Sequence, residues 1–141
     1  LCERSPVIAA ILEDGLERAR LAADCELNEI VERMTLSRGN AIDYLRQLDE
    51  VNLPDVIVID PMFPASKKSA LVKKEMRAFH HLVGADSDSD QLLQQALAKA
   101  RHRVVVKRPK KAEHLGGLKP NFAVEGKAIR FDIYSLRAFG K

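Results

Sequence analysis

Cysteine is scarce in this 141-residue chain: Cys2 and Cys25 stand alone, with no Cys-x-x-Cys spacing. That pattern speaks against a disulfide framework and a thiolate metal site, and it suits a reducing, cytoplasmic setting. No apolar run approaches the roughly 20 residues needed to cross a bilayer, and no signal peptide opens the chain. Neither membrane association nor a bound metal is expected. Internal repeats and low-complexity segments are absent too. The chain does not open on Met: Leu1 starts inside what reads as the end of a strand. It is therefore expected to be a fragment, or a chain whose beginning is missing.

What is present is ordinary in amount and lopsided in arrangement. Apolar residues make up 46% and charged residues 30%, the proportions of a globular domain with a real core. Residues 1–60 carry thirteen acids against six bases, whereas residues 61–141 carry seven acids against seventeen bases. A basic second half beside an acidic first half points to a polyanion on the basic side.

The organising stretch is Val56-Ile57-Val58-Ile59-Asp60-Pro61-Met62-Phe63-Pro64. Four β-branched residues in a row read as a strand buried on both faces. Pro61 lacks an N–H and disfavours helix at Asp60, so the strand ends there. An acid and an aromatic are thus expected at the carboxyl end of a central strand, where open α/β sheets bind ligands.

The rest of the chain alternates around it. Leu1-Cys2-Glu3 reads as a strand end. Ser5-Pro6 opens a helix, with Ser as N-cap and Pro at the first helical position. Its apolar positions Val7, Ile8, Ile11, Leu12, Leu16, Ala19 and Ala23 recur at helical spacing. A short helix over 26–32, a strand at Met34-Thr35-Leu36 and a helix over 41–48 follow. A helix over 70–83 and another over 91–100 come after the central strand. Arg103 to Lys107, carrying Val104-Val105-Val106, reads as a second buried strand, ending in Lys107-Arg108-Pro109. Residues 122–125 and 128–135 flank Gly126-Lys127 as a hairpin, with Tyr134 and Phe131 facing core and surface. The alternation predicts an α/β fold with a mostly parallel sheet and an antiparallel C-terminal hairpin.

Three strand ends carry polar groups. Glu3 can hold the two hydroxyls of a ribose. Gly39 lets the backbone approach a flat ring, and Asn40 beside it can donate or accept hydrogen bonds. Asp60 is the third. Together they suggest a nucleoside-containing cofactor along the carboxyl edge, although no glycine-rich phosphate turn is present. Asp86-Ser87-Asp88-Ser89-Asp90 lacks the glycine and final Glu of a calcium loop. Adjacent His80 and His81 point apart on a helix and suggest no zinc.

Asp60-Pro61-Met62-Phe63 resembles the signature of S-adenosylmethionine-dependent methyltransferases that act on exocyclic amines of bases. An exocyclic NH2 is a poor nucleophile because its lone pair is conjugated into the ring. The Asp60 carboxylate and Pro61 carbonyl can accept its two N–H bonds and localise that lone pair, while Phe63 stacks on the base. Adding Lys67 to Arg77, Arg103 to Pro109 and Arg130-Phe131-Asp132-Ile133-Tyr134, the whole chain is similar to the bacterial 16S ribosomal RNA guanine-N2 methyltransferase J family.

The resemblance implies a Rossmann-like methyltransferase fold without its first strand and Gly-rich turn. Residues 1–141 would form the C-terminal part of the methyltransferase domain. It further implies S-adenosyl-L-methionine (SAM) as cofactor, held by Glu3, Arg4, Asn40, Ala41 and Asp60, and catalysis by Asp60, Pro61 and Phe63. The implied partner is 16S rRNA or the 30S subunit, with a guanine as target. Lys67, Lys68, Lys73, Lys74, Lys107, Arg108, Lys110 and Lys111 are then expected to grip phosphates around a flipped base. An adenine-N6 or other amine methyltransferase, or a non-catalytic nucleic-acid-binding module, is the alternative that the same residues leave open.

Overall fold

A computed structural model describes residues 1–22, 24–61 and 88–140. The chain divides into two compact units, Leu1–Tyr44 and Leu45–Lys141.

The first unit holds β1 (Cys2–Glu3), α1 (Pro6–Arg20), α2 (Cys25–Glu32), β2 (Ser37–Arg38) and the start of α3 (Ala41–Gln47). Ser5 caps α1 as expected, its side chain accepting from the Ile8 N–H, with Pro6 opening the helix. Asp24 caps α2 through the Leu27 N–H. β1 and β2 pair in parallel, Cys2 opposite Ser37 and Glu3 opposite Arg38. Strand β2 therefore lies just after the expected Met34-Thr35-Leu36. A two-residue parallel ladder is fixed by its partner, here by Ser37 N–H to Leu1 O and Gly39 N–H to Glu3 O, both 2.9 Å, and not by β propensity. Helix α1 stops at Arg20, short of Ala23, and Val7 and Ile11 on the expected apolar stripe are exposed.

The second unit holds β3 (Val56–Ile59), α4 (Ser89–Lys99), β4 (Arg103–Pro109), β5 (Phe122–Glu125) and β6 (Ile129–Ser135). The sheet order is β3-β4-β6-β5. β3 runs parallel to β4, with Ile59 opposite Val106. β6 runs antiparallel to both β4 and β5. The hairpin therefore places β6 inside the sheet and β5 on its edge. The core joins Leu45, Ile59, Val104, Val106 and Tyr134 to Leu93 and Ala96 of α4 and to Leu115. All but Leu45 belong to one sheet face or to the elements after β3 that cover it.

Burial of β3 on both faces, expected from its composition, is not observed. Ile59 is buried and Ile57 packs against the core, but Val58 is 66% exposed and Val56 39%. Side chains alternate along a strand, and only the Ile57–Ile59 face meets the core cluster. Strand β4 also runs further than expected. It pairs through Lys107 and Arg108 to Pro109, opposite Ile129. A proline is tolerated there because it takes the last rung of the ladder, where no further N–H is required. The expected helix over 70–83, with His80 and His81, lies outside the described residues.

Candidate active site

Asp60 and Pro61 follow β3 directly, as expected. Pro61 is buried and Asp60 is exposed. The parallel register brings the residues after Ile59 and Val106 together, and Lys107 Nζ donates to Asp60 Oδ2 at 2.7 Å. Lys107, expected to face phosphates, thus turns its ammonium to the acid of the turn. Phe63 lies outside the described residues, as do Lys67, Lys68, Lys73 and Lys74.

The other expected phosphate contacts occupy the end of β4 and the loop after it. The Arg108 guanidinium donates to the Glu113 carbonyl through Nε (3.0 Å) and Nη2 (2.7 Å). Burial, and then the neighbouring Arg130, lower the Arg108 pKa. Lys110 forms an exposed ion pair with Glu125 at 2.9 Å. Lys111 is exposed.

This loop is strapped to the sheet and to α4. Arg130 Nη1 donates to the Lys110 carbonyl at 2.6 Å, and His114 Nδ1 lies 2.9 Å from Asp132 Oδ2. The Gly116 N–H donates to Asp90 Oδ1 at 2.8 Å, and the Tyr134 hydroxyl donates to the Leu118 carbonyl at 2.8 Å. Gly116 and Gly117 adopt φ of +59° and +66°, the left-handed region that favours glycine. Arg130, Asp132 and His114 were not singled out as a unit by the sequence. The available signal was the charged pair Arg130 and Asp132 at alternate positions of an otherwise apolar strand.

In the first unit, the β1–β2 pairing sets Glu3 beside Gly39 and Asn40. Glu3 Oε1 accepts from the Ser5 N–H at 2.7 Å. Gly39 has φ +134°, with nothing within 4 Å of the place a Cβ would occupy. Asn40 Oδ1 accepts from the Ile42 N–H at 2.8 Å and so caps the start of α3. Ala41 is the first residue of that helix, and Arg4 is exposed between β1 and Ser5. A carboxylate beside open glycine backbone has the chemistry that could hold the nucleoside part of SAM, with ribose hydroxyls on the acid and adenine on the bare backbone. Glu3, Arg4, Asn40 and Ala41 belong to the first unit and Asp60 to the second.

A separate cleft lined by Glu13, Leu16, Arg20, Glu32, Met34, Thr35 and Leu36 lies on the residues before β2, not at its carboxyl end. Among the described residues, no group of three or more His, Cys, Asp or Glu is placed to hold a metal. No helix among them is long and apolar enough to cross a membrane.

An α/β fold with parallel strand pairs and a closing antiparallel hairpin is the class to which SAM-dependent methyltransferases belong. Residues 1–136 match the family described as "Putative SAM-dependent methyltransferase", and the chain belongs to that family. Its relatives include the protein named ribosomal RNA small subunit methyltransferase J in Thioalkalivibrio sulfidiphilus, 58% identical over 134 residues. That alignment covers 95% of this chain and 52% of the relative. The Pseudomonas aeruginosa protein of the same name is 56% identical, over 100% of this chain and 53% of its own length. The crystal structure of a SAM-dependent methyltransferase from Neisseria gonorrhoeae superposes with TM-score 0.73 at 38% identity, covering 95% of this chain and 50% of that one. The expected Rossmann-like methyltransferase fold and the resemblance to the methyltransferase J family are both borne out. The chain spans about half the length of the curated relatives it matches.

Proposed function

We propose that the protein transfers a methyl group from SAM to the exocyclic N2 amine of a guanine in 16S rRNA of the small ribosomal subunit, in the cytoplasm. The observation that carries this is Asp60-Pro61 at the carboxyl end of β3, with Pro61 buried and the Asp60 carboxylate held by Lys107. The names of the relatives support the choice of small-subunit RNA as substrate.

SAM supplies an electrophilic methyl group. Asp60 and the Pro61 carbonyl accept the two N–H bonds of the amine, which draws its lone pair out of conjugation. Phe63 stacks on the base. The lone pair so freed is presented to the methyl group that bound SAM would supply, and the amine proton displaced by the transfer would pass to water. Glu3 and the Gly39-Asn40-Ala41 backbone take the nucleoside, with Arg4 beside them. Arg108, Lys110 and Lys111, together with Lys67, Lys68, Lys73 and Lys74, face the phosphates of the flipped nucleotide.

Incubating the full-length protein with SAM and 30S particles, or 16S RNA, and digesting the RNA to nucleosides tests this. The expected product is N2-methylguanosine. N6-methyladenosine instead would assign the turn to adenine, and no binding of SAM by the folded protein would remove the methyltransferase reading altogether.

A further inference from the structure

We infer that Lys107 is a positioning residue for methyl transfer. It fixes the Asp60 carboxylate through Oδ2 so that Oδ1 is presented to the target amine. The inference rests on the role proposed above for Asp60.

Asp60 stands at a strand end, and Pro61 after it offers no N–H to steady the carboxylate. Lys107 stands inside a ladder: β4 continues past it to Pro109, and β6 holds it from the other side with Phe131 opposite. The 2.7 Å bond therefore ties the acid at the strand end to a strand paired on its far edge. Among the described residues, Lys107 is the donor that Asp60 has. The two side chains are 36% and 57% exposed. A pair so open to water contributes little to stability, and orientation is what it supplies.

Orientation matters here because the carboxylate must accept one N–H in the plane that frees the lone pair. A misplacement of about 1 Å in such a group costs on the order of 100-fold in rate. Lys107 holds Oδ2, and among the described residues Oδ1 is the oxygen left for the amine.

The test uses the full-length protein with Lys107→Met, Lys107→Arg, Asp60→Ala and the double variant Asp60→Ala/Lys107→Met. It measures kcat, RNA affinity and the salt dependence of that affinity. Lys107→Met is expected to lower kcat by about 10- to 100-fold with RNA affinity and salt slope unchanged. Lys107→Arg should recover most of the loss. In the Asp60→Ala background Lys107→Met should add less than about twofold, because both changes remove one interaction. If Lys107→Met does not fold, Lys107→Gln replaces it. Unchanged kcat with a salt slope reduced by about one would make Lys107 a phosphate contact and overturn the inference, as would additive effects in the double variant. Full activity in Asp60→Ala would instead overturn the role of Asp60 itself, which separates the two failures.

Discussion

Arg130 and Asp132, two residues apart on β6, form a buried ion pair: Arg130 Nε donates to Asp132 Oδ1 at 2.8 Å, and Asp132 is 0% exposed. His114 Nδ1 meets the other carboxylate oxygen at 2.9 Å. The pair faces α4 and Leu115, because the register sets Asp132 opposite Val106 and Tyr134 opposite Val104. It ties the sheet to the loop that carries Lys110 and Lys111.

Removing one partner leaves the other charge buried. Asp132→Ala is expected to cost about 3–5 kcal/mol, read as a loss in the free energy of chemical unfolding. The pair should also make stability sensitive to acid. Burial pushes the Asp132 carboxyl up, but hydrogen bonds from Arg130 and His114 outweigh it and hold its pKa below the ordinary carboxylate value. A lowered folded pKa gives stability that is complete above the unfolded value of about 4 and is lost as pH falls through the folded value. Thermal melts at falling pH should show Tm dropping below about pH 4, and Asp132→Asn should flatten that drop. An equally steep drop in the variant would assign the acid sensitivity to other carboxylates.

On the cofactor side, Glu3→Ala should weaken SAM binding by roughly 10- to 100-fold, the worth of hydrogen bonds to a charged group. Gly39→Ala should weaken it as well, because φ near +134° strains an L residue by about 1–3 kcal/mol. Calorimetry on the full-length protein reads both. Unchanged affinity in Glu3→Ala would remove the ribose from that residue.

For RNA, Lys111 is exposed and Lys110 is paired with Glu125. Lys111→Ala should lower affinity about equally for all sequences and reduce the salt slope by about one. Lys110→Ala should do the same while altering stability by no more than about 1 kcal/mol, the range of an exposed pair. Filter binding across a salt series decides it, and a slope unchanged in both variants would make this loop a solvated surface.

Much of the architecture was legible from local rules. The β-branched run closed by Pro61 gave β3 and its acid, Ser5-Pro6 gave the start of α1, and Gly126-Lys127 gave the hairpin. What escaped depended on which strands pair. The position of β2 followed its ladder to β1 and not the apolar Met34-Thr35-Leu36. In β6 the expected inward Tyr134 is found, but the burial of Arg130 and Asp132 on the same face was not expected. The register to β4 turns the polar set towards α4, where ion pairing and hydrogen bonds satisfy it. The same dependence hid Lys107. Its closeness to Asp60, 47 residues away, exists only once β3 and β4 are aligned.

The central claim is that Asp60 acts on the target amine and not merely on the fold. Methyl transfer to 30S particles by the full-length Asp60→Ala variant, measured alongside SAM binding and thermal melting, tests it most directly. The account predicts a fall of about 100-fold or more in kcat, the scale of losing an oriented group at the reacting centre, with the melt and SAM affinity close to those of the unaltered protein. Methyl transfer at the unaltered rate would contradict it.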